Sequence, residues 1–123
     1  MVIRIALLVL SLFCFVLFSP VSLKAQDVAK VSKNYKVVLD NDKVRVIDNI
    51  SNPGQKTDWH SHPDMLIYVL EGGTVKSETK DGKSKIIEFK KGETLWMDAV
   101  THQTQNIGKT KIHLLLTELK SPK

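Results

Sequence analysis

The stretch Trp59–Gly73 reads WHSHPDMLIYVLEGG and indicates the kind of fold. The run from Met65 to Leu70 is apolar throughout, has the length of a strand and ends close to a pair of glycines, which predicts a β-strand followed by a turn. A continuous run of this kind is typical of a strand buried on both faces. Just before it, one residue separates His60 from His62, and alternate side chains leave the same face of a strand. We therefore predict two imidazoles side by side where a buried strand begins.

The chain opens with a segment that predicts export from the cytoplasm. Arg4 gives a positive start, the run Ile5–Phe18 (IALLVLSLFCFVLF) is almost wholly apolar, and Ala25 is a small residue suited to cleavage. This is the order of a secretory signal, and the apolar run is short for a membrane span, which needs about 20 residues. We predict a signal peptide over residues 1–25 and a secreted or periplasmic protein. The alternative is an uncleaved N-terminal anchor.

The composition excludes several classes of function. The one cysteine, Cys14, lies in the predicted signal, so the mature chain would have no disulfide, no thiolate metal ligand and no cysteine nucleophile. Removal of Arg4 and Lys24 with the signal would lower the net charge from +5 to +3. The remaining lysines are scattered, with no cluster beside aromatic residues, which argues against nucleic-acid binding. After signal cleavage we expect no stable membrane insertion.

From residue 26 onward the pattern is that of an all-β domain. Residues 26–34 are polar and are predicted to form a flexible N-terminal lead-in, whereas residues 35–120 form one domain of short alternating strands. Strong turn signals separate the strands, among them Asn52–Gly54 (NPG) and Lys80–Lys83 (KDGK). No apolar stripe of helical period runs over ten residues or more. The sequence therefore predicts a single-domain β-sandwich or β-barrel.

A second stretch, forty residues after the first, adds a third histidine. Gly92 precedes TLWMDAVTHQTQN (residues 94–106), which places His102 ten residues after that glycine and Asn106 four residues after the histidine. In the first stretch, five residues separate Gly54 from His60. The two stretches thus form a pair of glycine-framed histidine motifs.

This pair resembles the two motifs of the cupin superfamily, G-x5-H-x-H-x(3–4)-E-x6-G and G-x5-P-x-G-x2-H-x3-N. The similarity covers nearly all of the mature chain, because the order of strands and turns also fits, and YVLEGG and KKGETLWM are typical in style. The resemblance implies a single-domain jelly-roll β-barrel in which His60, His62 and His102 converge on one divalent metal ion. Imidazole suits Fe, Zn, Mn, Ni or Cu, and three imidazoles on one side leave positions open to water or substrate.

The chain departs from the family's pattern at the acidic ligand. The motif's glutamate falls on Met65 or Leu66, and neither side chain can replace it as a ligand. Asp64 is the nearest carboxylate and is a candidate fourth ligand or supporting residue. Asn106 is another, and its alternative role is a turn before Gly108. Two interpretations remain: an open three-histidine centre, as in some cupin dioxygenases, or a barrel that has lost its metal and keeps the histidines for hydrogen bonding. We favour the metal, since burying three imidazoles without partners would be unfavourable.

The resemblance leaves two functions open for this chain. One is a metal-dependent enzyme of the dioxygenase or lyase/isomerase type, with no catalytic side chain assigned. The other is a non-catalytic barrel that binds a metal or a small ligand, and a homodimer is expected in either case. Because the interior is mostly apolar, the ligand or substrate is predicted to be small and partly apolar. His113 is expected outside the site, because alternation turns it away from the core. The candidate pocket-lining residues are Met65, Tyr68, Trp96 and Met97.

Overall fold

The computed structural model describes residues 26–28 and 33–122, nearly all of them in strands or in the connections between strands. The predicted signal peptide, residues 1–25, lies outside the described residues. In the described part there is no helix with the length and apolarity needed to cross a membrane. The strands are β1 (Gln26–Asp27), β2 (Tyr35–Asp40), β3 (Val44–Ser51), β4 (His60–His62), β5 (Met65–Glu71), β6 (Gly73–Thr79), β7 (Ser84–Phe89), β8 (Thr94–Met97), β9 (Val100–Asn106) and β10 (Ile112–Leu119).

The strands form two five-stranded sheets that enclose a common core. The first sheet has the order β1-β4-β9-β6-β7, and the second has the order β2-β3-β10-β5-β8. Among the described residues, the pairings are antiparallel except for that of β1 with β4. Between β3 and β10 the chain passes repeatedly from one sheet to the other, which is the path of a jelly roll. The prediction of an all-β, single-domain jelly-roll barrel is confirmed.

The core consists of the inward-facing side chains of both sheets. Along most of β5 and β10, buried and more exposed positions alternate, so each strand gives one face to the core. Burial of this apolar surface is the main source of the stability of such a domain. The buried cluster comprises Val28, Ile47, Met65, Ile67, Val69, Val75, Phe89, Ile112, Leu114 and Leu116.

The prediction that the run Met65–Leu70 is buried on both faces is wrong. Leu66 is 41% exposed and Tyr68 is 44% exposed, whereas the residues on either side of them are buried. The reason is the arrangement of the layers. The first sheet covers one face of β5, and no other layer in the described part of the chain covers the opposite face. An apolar run cannot reveal how many of its faces a fold will cover.

The sheet begins earlier than the predicted boundary at residue 35. Gln26–Asp27 pairs in parallel with β4, and Val28 is fully buried in the core. These three residues lie in the segment predicted to be a flexible lead-in, of which residues 29–32 are outside the described residues. The residues around Val28 are polar and do not indicate that it is buried. The core residues that cover it are distant in sequence.

Two of the motif glycines hold positions that a side chain would disturb. Gly92, between β7 and β8, has a φ of +82°, a backbone conformation that glycine adopts without strain. Gly72 lies against the end of β7, where an added Cβ would come within 2.3 Å of the carbonyl oxygen of Phe89. These close turns bring the two histidine-bearing stretches together.

Candidate metal centre

Three histidines meet on the inner face of the first sheet. His60 and His62 leave the same face of β4, and His102 lies directly opposite His60 on the neighbouring strand β9. The three residues are buried, with exposures of 0%, 5% and 4%. The ring centroids of His60 and His102 are 4.7 Å apart, and those of His62 lie 5.0 Å and 5.4 Å from these two. One nitrogen from each ring lies within 4.8 Å of the other two, close enough to share one ion.

Each imidazole uses its Nδ1 in a hydrogen bond, which leaves its Nε2 for the centre. A carbonyl and a carboxylate only accept, so His60 and His62 donate from Nδ1, and the lone pair of a neutral ring is then on Nε2. Nε2 of His60 is buried and has no hydrogen-bond partner among the described residues. A buried nitrogen lone pair without a donor fits a metal ligand. The three bonds are His60 Nδ1 to the carbonyl oxygen of Asp58 (2.8 Å), His62 Nδ1 to Glu118 Oε1 (2.7 Å) and His102 Nδ1 to Ser77 Oγ (3.0 Å).

Burial keeps two of the imidazoles neutral. Loss of hydration is the main cause that lowers the pKa of His60 to about 4 and the pKa of His102 to about 3. For His60, the carbonyl of Asp58 opposes this lowering of the pKa. For His102, the two other imidazoles and then the Lys85 ammonium lower the pKa further. Metal binding requires neutral imidazole, so these two residues are ready to act as ligands at neutral pH.

A buried carboxylate from the last strand orients His62. Glu118 is 2% exposed, and its Oε1 accepts the bond from His62 Nδ1. Its Oε2 accepts from Arg45, with Nε at 2.8 Å and Nη2 at 2.6 Å. Arg45 also bonds Asp27 on β1 at 2.7 Å, and this bond is the largest of the contacts that raise the pKa of the guanidinium. A carboxylate behind a histidine ligand fixes the orientation of the ring and raises its basicity.

No motif in the sequence points to Glu118. The signal that could have identified it is the alternation along β10, where Leu114, Leu116 and Glu118 share the buried face. A carboxylate in such a series needs a buried partner, because an unpaired buried charge is unfavourable. The partners come from β3 and β4, so their identity depends on the tertiary arrangement.

Solved structures resemble this chain, although no protein-family model and no curated protein matches it. A cupin domain from Bordetella pertussis Tohama I superimposes with a TM-score of 0.65 and 27% identity, covering 71% of this chain and 92% of that one. A cupin superfamily protein from Desulfitobacterium hafniense DCB-2 gives 0.54 and 16%, covering 80% and 84%. An RmlC-like cupin with a double-stranded β-helix fold from Methanocaldococcus jannaschii gives 0.56 and 10%, covering 76% and 85%.

The chain is a cupin by fold. The two stretches that carry the resemblance in sequence become β4–β5 and β8–β9, and the structure places them side by side around the histidines. The predicted convergence of His60, His62 and His102 is what the structure contains.

In this cupin, methionine occupies the inward position beside the histidines where the motif has glutamate. Of the two candidates for that position, Met65 points into the core and Leu66 points out. Glu118 is the partner of Met65 across β5 and β10, so the two side chains share a face. The carboxylate near this site thus comes from β10 and lies behind His62, on its Nδ1.

Neither candidate for a fourth ligand joins the three histidines. Asp64 is exposed, and its Oδ1 accepts the N–H of Ala99 at 2.7 Å, so its carboxylate belongs to the surface between β4 and β5. Asn106 is buried, but its amide donates to two backbone carbonyls and accepts the N–H of Gly108 at 3.0 Å. Asn106 therefore has the turn role that was its alternative.

Two cavities meet at His102 and Met97. The more enclosed of the two, of about 60 Å³, has room for a few water-sized groups, and an open groove of about 520 Å³ connects to solvent. Met65 lines the enclosed cavity, Trp96 lines the groove, and Met97 lines both. The prediction for Tyr68 is wrong, because β5 turns that side chain to the outer face.

His113, the fourth histidine, lies apart from the centre as predicted. It is half-buried on the opposite face of β10 from Leu114, and its Nε2 lies 2.5 Å from Asp48 Oδ1. This histidine therefore offers a natural control for experiments on the other three.

Proposed function

We propose that this cupin binds one divalent transition metal ion through Nε2 of His60, His62 and His102, and that the bound ion interacts with a small molecule. The observation that carries the proposal is the buried, unpartnered Nε2 of His60, at the meeting point of three imidazoles anchored through Nδ1. A metal ion at this point would supply Lewis-acid chemistry or a place for a substrate to coordinate. The donor set suits Fe, Zn, Mn, Ni or Cu.

The chain's own residues would orient the reactants and exclude water. The enclosed cavity is walled mainly by apolar side chains, which favours a small and partly apolar group next to the histidines. Tyr35 lies beside His60, with 5.8 Å between the ring centroids. Burial raises the pKa of Tyr35 to about 12, so its hydroxyl stays protonated at neutral pH and can donate a hydrogen bond but cannot act as a base.

We propose metal-dependent catalysis of the dioxygenase or lyase/isomerase type as the first use of this site. Support comes from the three-nitrogen donor set, which leaves coordination positions open. A non-catalytic barrel that holds a metal or a small ligand is the second candidate. It is favoured by the small enclosed cavity and by the structural roles of Asp64 and Asn106, whose side chains bond backbone groups.

The place of action and the assembly state are part of the same proposal. We propose that the protein is exported and acts as a secreted or periplasmic protein, on the basis of the signal pattern in residues 1–25. A homodimer is proposed from the resemblance to cupins. N-terminal sequencing of the purified protein and sedimentation analysis test these two points.

Elemental analysis tests the metal. The protein purified from its native compartment is compared with His60→Ala, His62→Ala and His102→Ala, and with His113→Ala as the matched control. We expect about one metal ion per chain in the wild type and in His113→Ala, and strong loss in the other three variants. Stoichiometric metal in all three would contradict the proposed ligands, and a metal-free wild type would favour ligand binding without a metal.

Water exchange separates the enzyme from the closed binding module. The protein is loaded with Mn²⁺, and the relaxation rate of solvent water protons is measured with and without the candidate ligand. If water can coordinate the bound Mn²⁺, the relaxation rate of the solvent protons is high, and it falls when a ligand displaces the coordinated water. A rate no higher than that of a fully chelated ion would argue against catalysis.

A further inference from the structure

The open groove beside the three histidines has lysine side chains along one wall. His102 and Met97 belong to both the groove and the enclosed cavity, so the groove leads from solvent to the histidines. One side is formed by β6 and β7, and the other by the connection from β8 to β9. Whatever reaches the centre through the groove passes between these two sides.

The wall formed by β7 changes from apolar to cationic as it nears the groove. Phe89, Ile87 and Lys85 are alternate residues of β7 and share one face. Phe89 and Ile87 line the enclosed cavity, and Lys85 lines the groove. Lys85 is the direct cross-strand partner of Ser77, whose Oγ bonds His102. The ammonium-bearing residue is therefore one strand away from the residue that contacts the centre.

Lys85 has no salt bridge within the described ranges 26–28 and 33–122, unlike Lys76, which pairs with Glu78, and Lys111, which pairs with Glu71. Lys85 and His102 line the same groove, so the ammonium group and the centre border one space. The ammonium group of Lys85 is therefore available to pair with an anionic ligand.

No carboxylate that lines the groove in the described part of the chain forms a salt bridge with Lys85. Asp98 is the one carboxylate that lines the groove among the described residues, and its Oδ1 accepts the indole N–H of Trp96 at 2.8 Å. Lys83 adds a second ammonium group, which lies 3.8 Å from the exposed carboxylate of Asp81. The groove is thus cationic on the β7 side, and Met97, the cross-strand partner of the inward-facing Met65, lies on the other side.

We propose that this groove is a binding site for a small organic carboxylate, held by the Lys85 ammonium with its apolar part against Met97. The inference rests on the proposed function in one respect: the other end of the molecule is directed to the three-histidine centre. An ammonium group provides a charge-assisted hydrogen bond to a carboxylate, and the flexible thioether side chain of Met97 adapts to an apolar or aromatic group. The substrate class of the centre is therefore a small carboxylic acid with an apolar portion.

The binding test uses benzoate as the probe and benzamide as its neutral counterpart of nearly the same shape. Titration calorimetry is run on the mature protein, both as purified and after removal of metal. We expect benzoate to bind at least tenfold more tightly than benzamide, because only the carboxylate gains the charged contact. Equal affinity for the two probes would overturn the proposal, and so would a higher affinity for inorganic phosphate than for benzoate.

Substitutions assign the effect to the groove. Lys85→Met should weaken benzoate binding about tenfold or more, whereas Lys85→Arg should keep most of it and Lys109→Met, at an exposed position outside the groove, should leave it unchanged. An inward-pointing lysine on an edge strand can also serve only to prevent edge-to-edge pairing. That role alone would leave benzoate binding intact in Lys85→Met, which would overturn the proposal.

The metal measurement keeps this test separate from the test of the centre. If the wild type contains no metal but still binds benzoate through Lys85, the proposed carboxylate site is supported and the proposed metal centre is contradicted. If the wild type contains metal and does not bind benzoate, the proposed carboxylate site is contradicted and the proposed metal centre is supported. Metal content that is equal in the wild type and Lys85→Met shows that the substitution has not disturbed the histidines.

Discussion

At the scale of single residues, the centre depends on which nitrogen each imidazole presents. His60 and His62 are held through Nδ1 by acceptors that cannot donate, so the nitrogen that each neutral ring leaves for a ligand bond is Nε2. The acceptor of His62 is a carboxylate that is itself paired with Arg45. Met65 stands where the cupin motif has a glutamate ligand. Glu118 instead supplies negative charge behind His62, through the hydrogen bond to its Nδ1.

Glu118→Gln should weaken metal binding about 10- to 100-fold, because the amide holds the His62 ring less firmly and makes it less basic. The dissociation constant is measured by competition with a chelator of known affinity. Asp48→Asn is the matched control, since Asp48 bonds His113 outside the centre. Unfolding curves for both variants separate an effect on the metal from an effect on stability, and an unchanged dissociation constant in Glu118→Gln would contradict the assigned role.

The metal-free protein should lose stability as the pH falls below about 6.5. The pKa of His60 is lowered to about 4 and that of His102 to about 3 in the folded protein, so the unfolded chain binds more protons between pH 6.5 and these values. The contribution is fully present above pH 6.5 and is lost toward pH 3–4, at roughly 1.4 kcal/mol for each pKa unit.

Urea unfolding of the metal-free protein at a series of pH values measures this effect. His102→Gln should flatten the dependence between pH 6.5 and 4, because it removes one of the two imidazoles whose pKa is lowered. A free energy of unfolding that is constant over this range in the wild type would contradict the burial argument.

At the scale of elements, the edge of the first sheet is completed by a strand of two residues. β1 pairs with β4, the strand that carries two of the histidines, and Asp27 reaches Arg45 from there. Val28 follows directly and is fully buried. The N-terminal segment is thus part of the support of the centre, through the series Asp27, Arg45, Glu118 and His62.

Val28→Ala should lower the free energy of unfolding by about 1–3 kcal/mol, because it removes buried methyl groups and leaves a cavity. Val38→Ala provides the control, since Val38 is 51% exposed and its loss should change stability by less than about 0.5 kcal/mol. Denaturant unfolding of both variants gives the comparison. Equal effects of the two substitutions would mean that the segment does not stay docked in solution.

At the scale of the whole molecule, the barrel joins a closed apolar interior to an open cationic groove. His102 lies at the junction, with both sheets contributing to the walls of the enclosed cavity. A metal ion bound there would link β4, β9 and, through Glu118, β10. Because the unfolded chain cannot reproduce this donor set, metal binding should stabilise the fold.

Zn²⁺ at about 100 times its dissociation constant should stabilise the metal-free protein by about 2.7 kcal/mol against unfolding. The gain is measured by denaturant unfolding and should be reversed by a chelator. It should be absent in His102→Ala and retained in His113→Ala. An equal gain in both variants would indicate that zinc binds elsewhere on the molecule.

Local patterns were sufficient to predict the class of fold and most of the centre. Alternation with period two and the turn residues act over a few positions, so they indicate strands without knowledge of the partner strands. The His60–Ser61–His62 spacing likewise places two imidazoles on one face before any tertiary contact forms. His102 required the second motif and the resemblance to cupins, because nothing near it in sequence shows which strand it faces.

Only the tertiary structure decided what surrounds those histidines. Glu118 supports His62 across 56 residues of sequence, because β10 lies beside β5 in the second sheet while its end reaches the first sheet's inner face. The same assembly exposes Leu66 and Tyr68, buries Val28 and places Lys85 beside Ser77. Each of these outcomes depends on strand register and on which faces another layer covers. Both are set by the packing of distant segments, so a local pattern of residue types does not contain them.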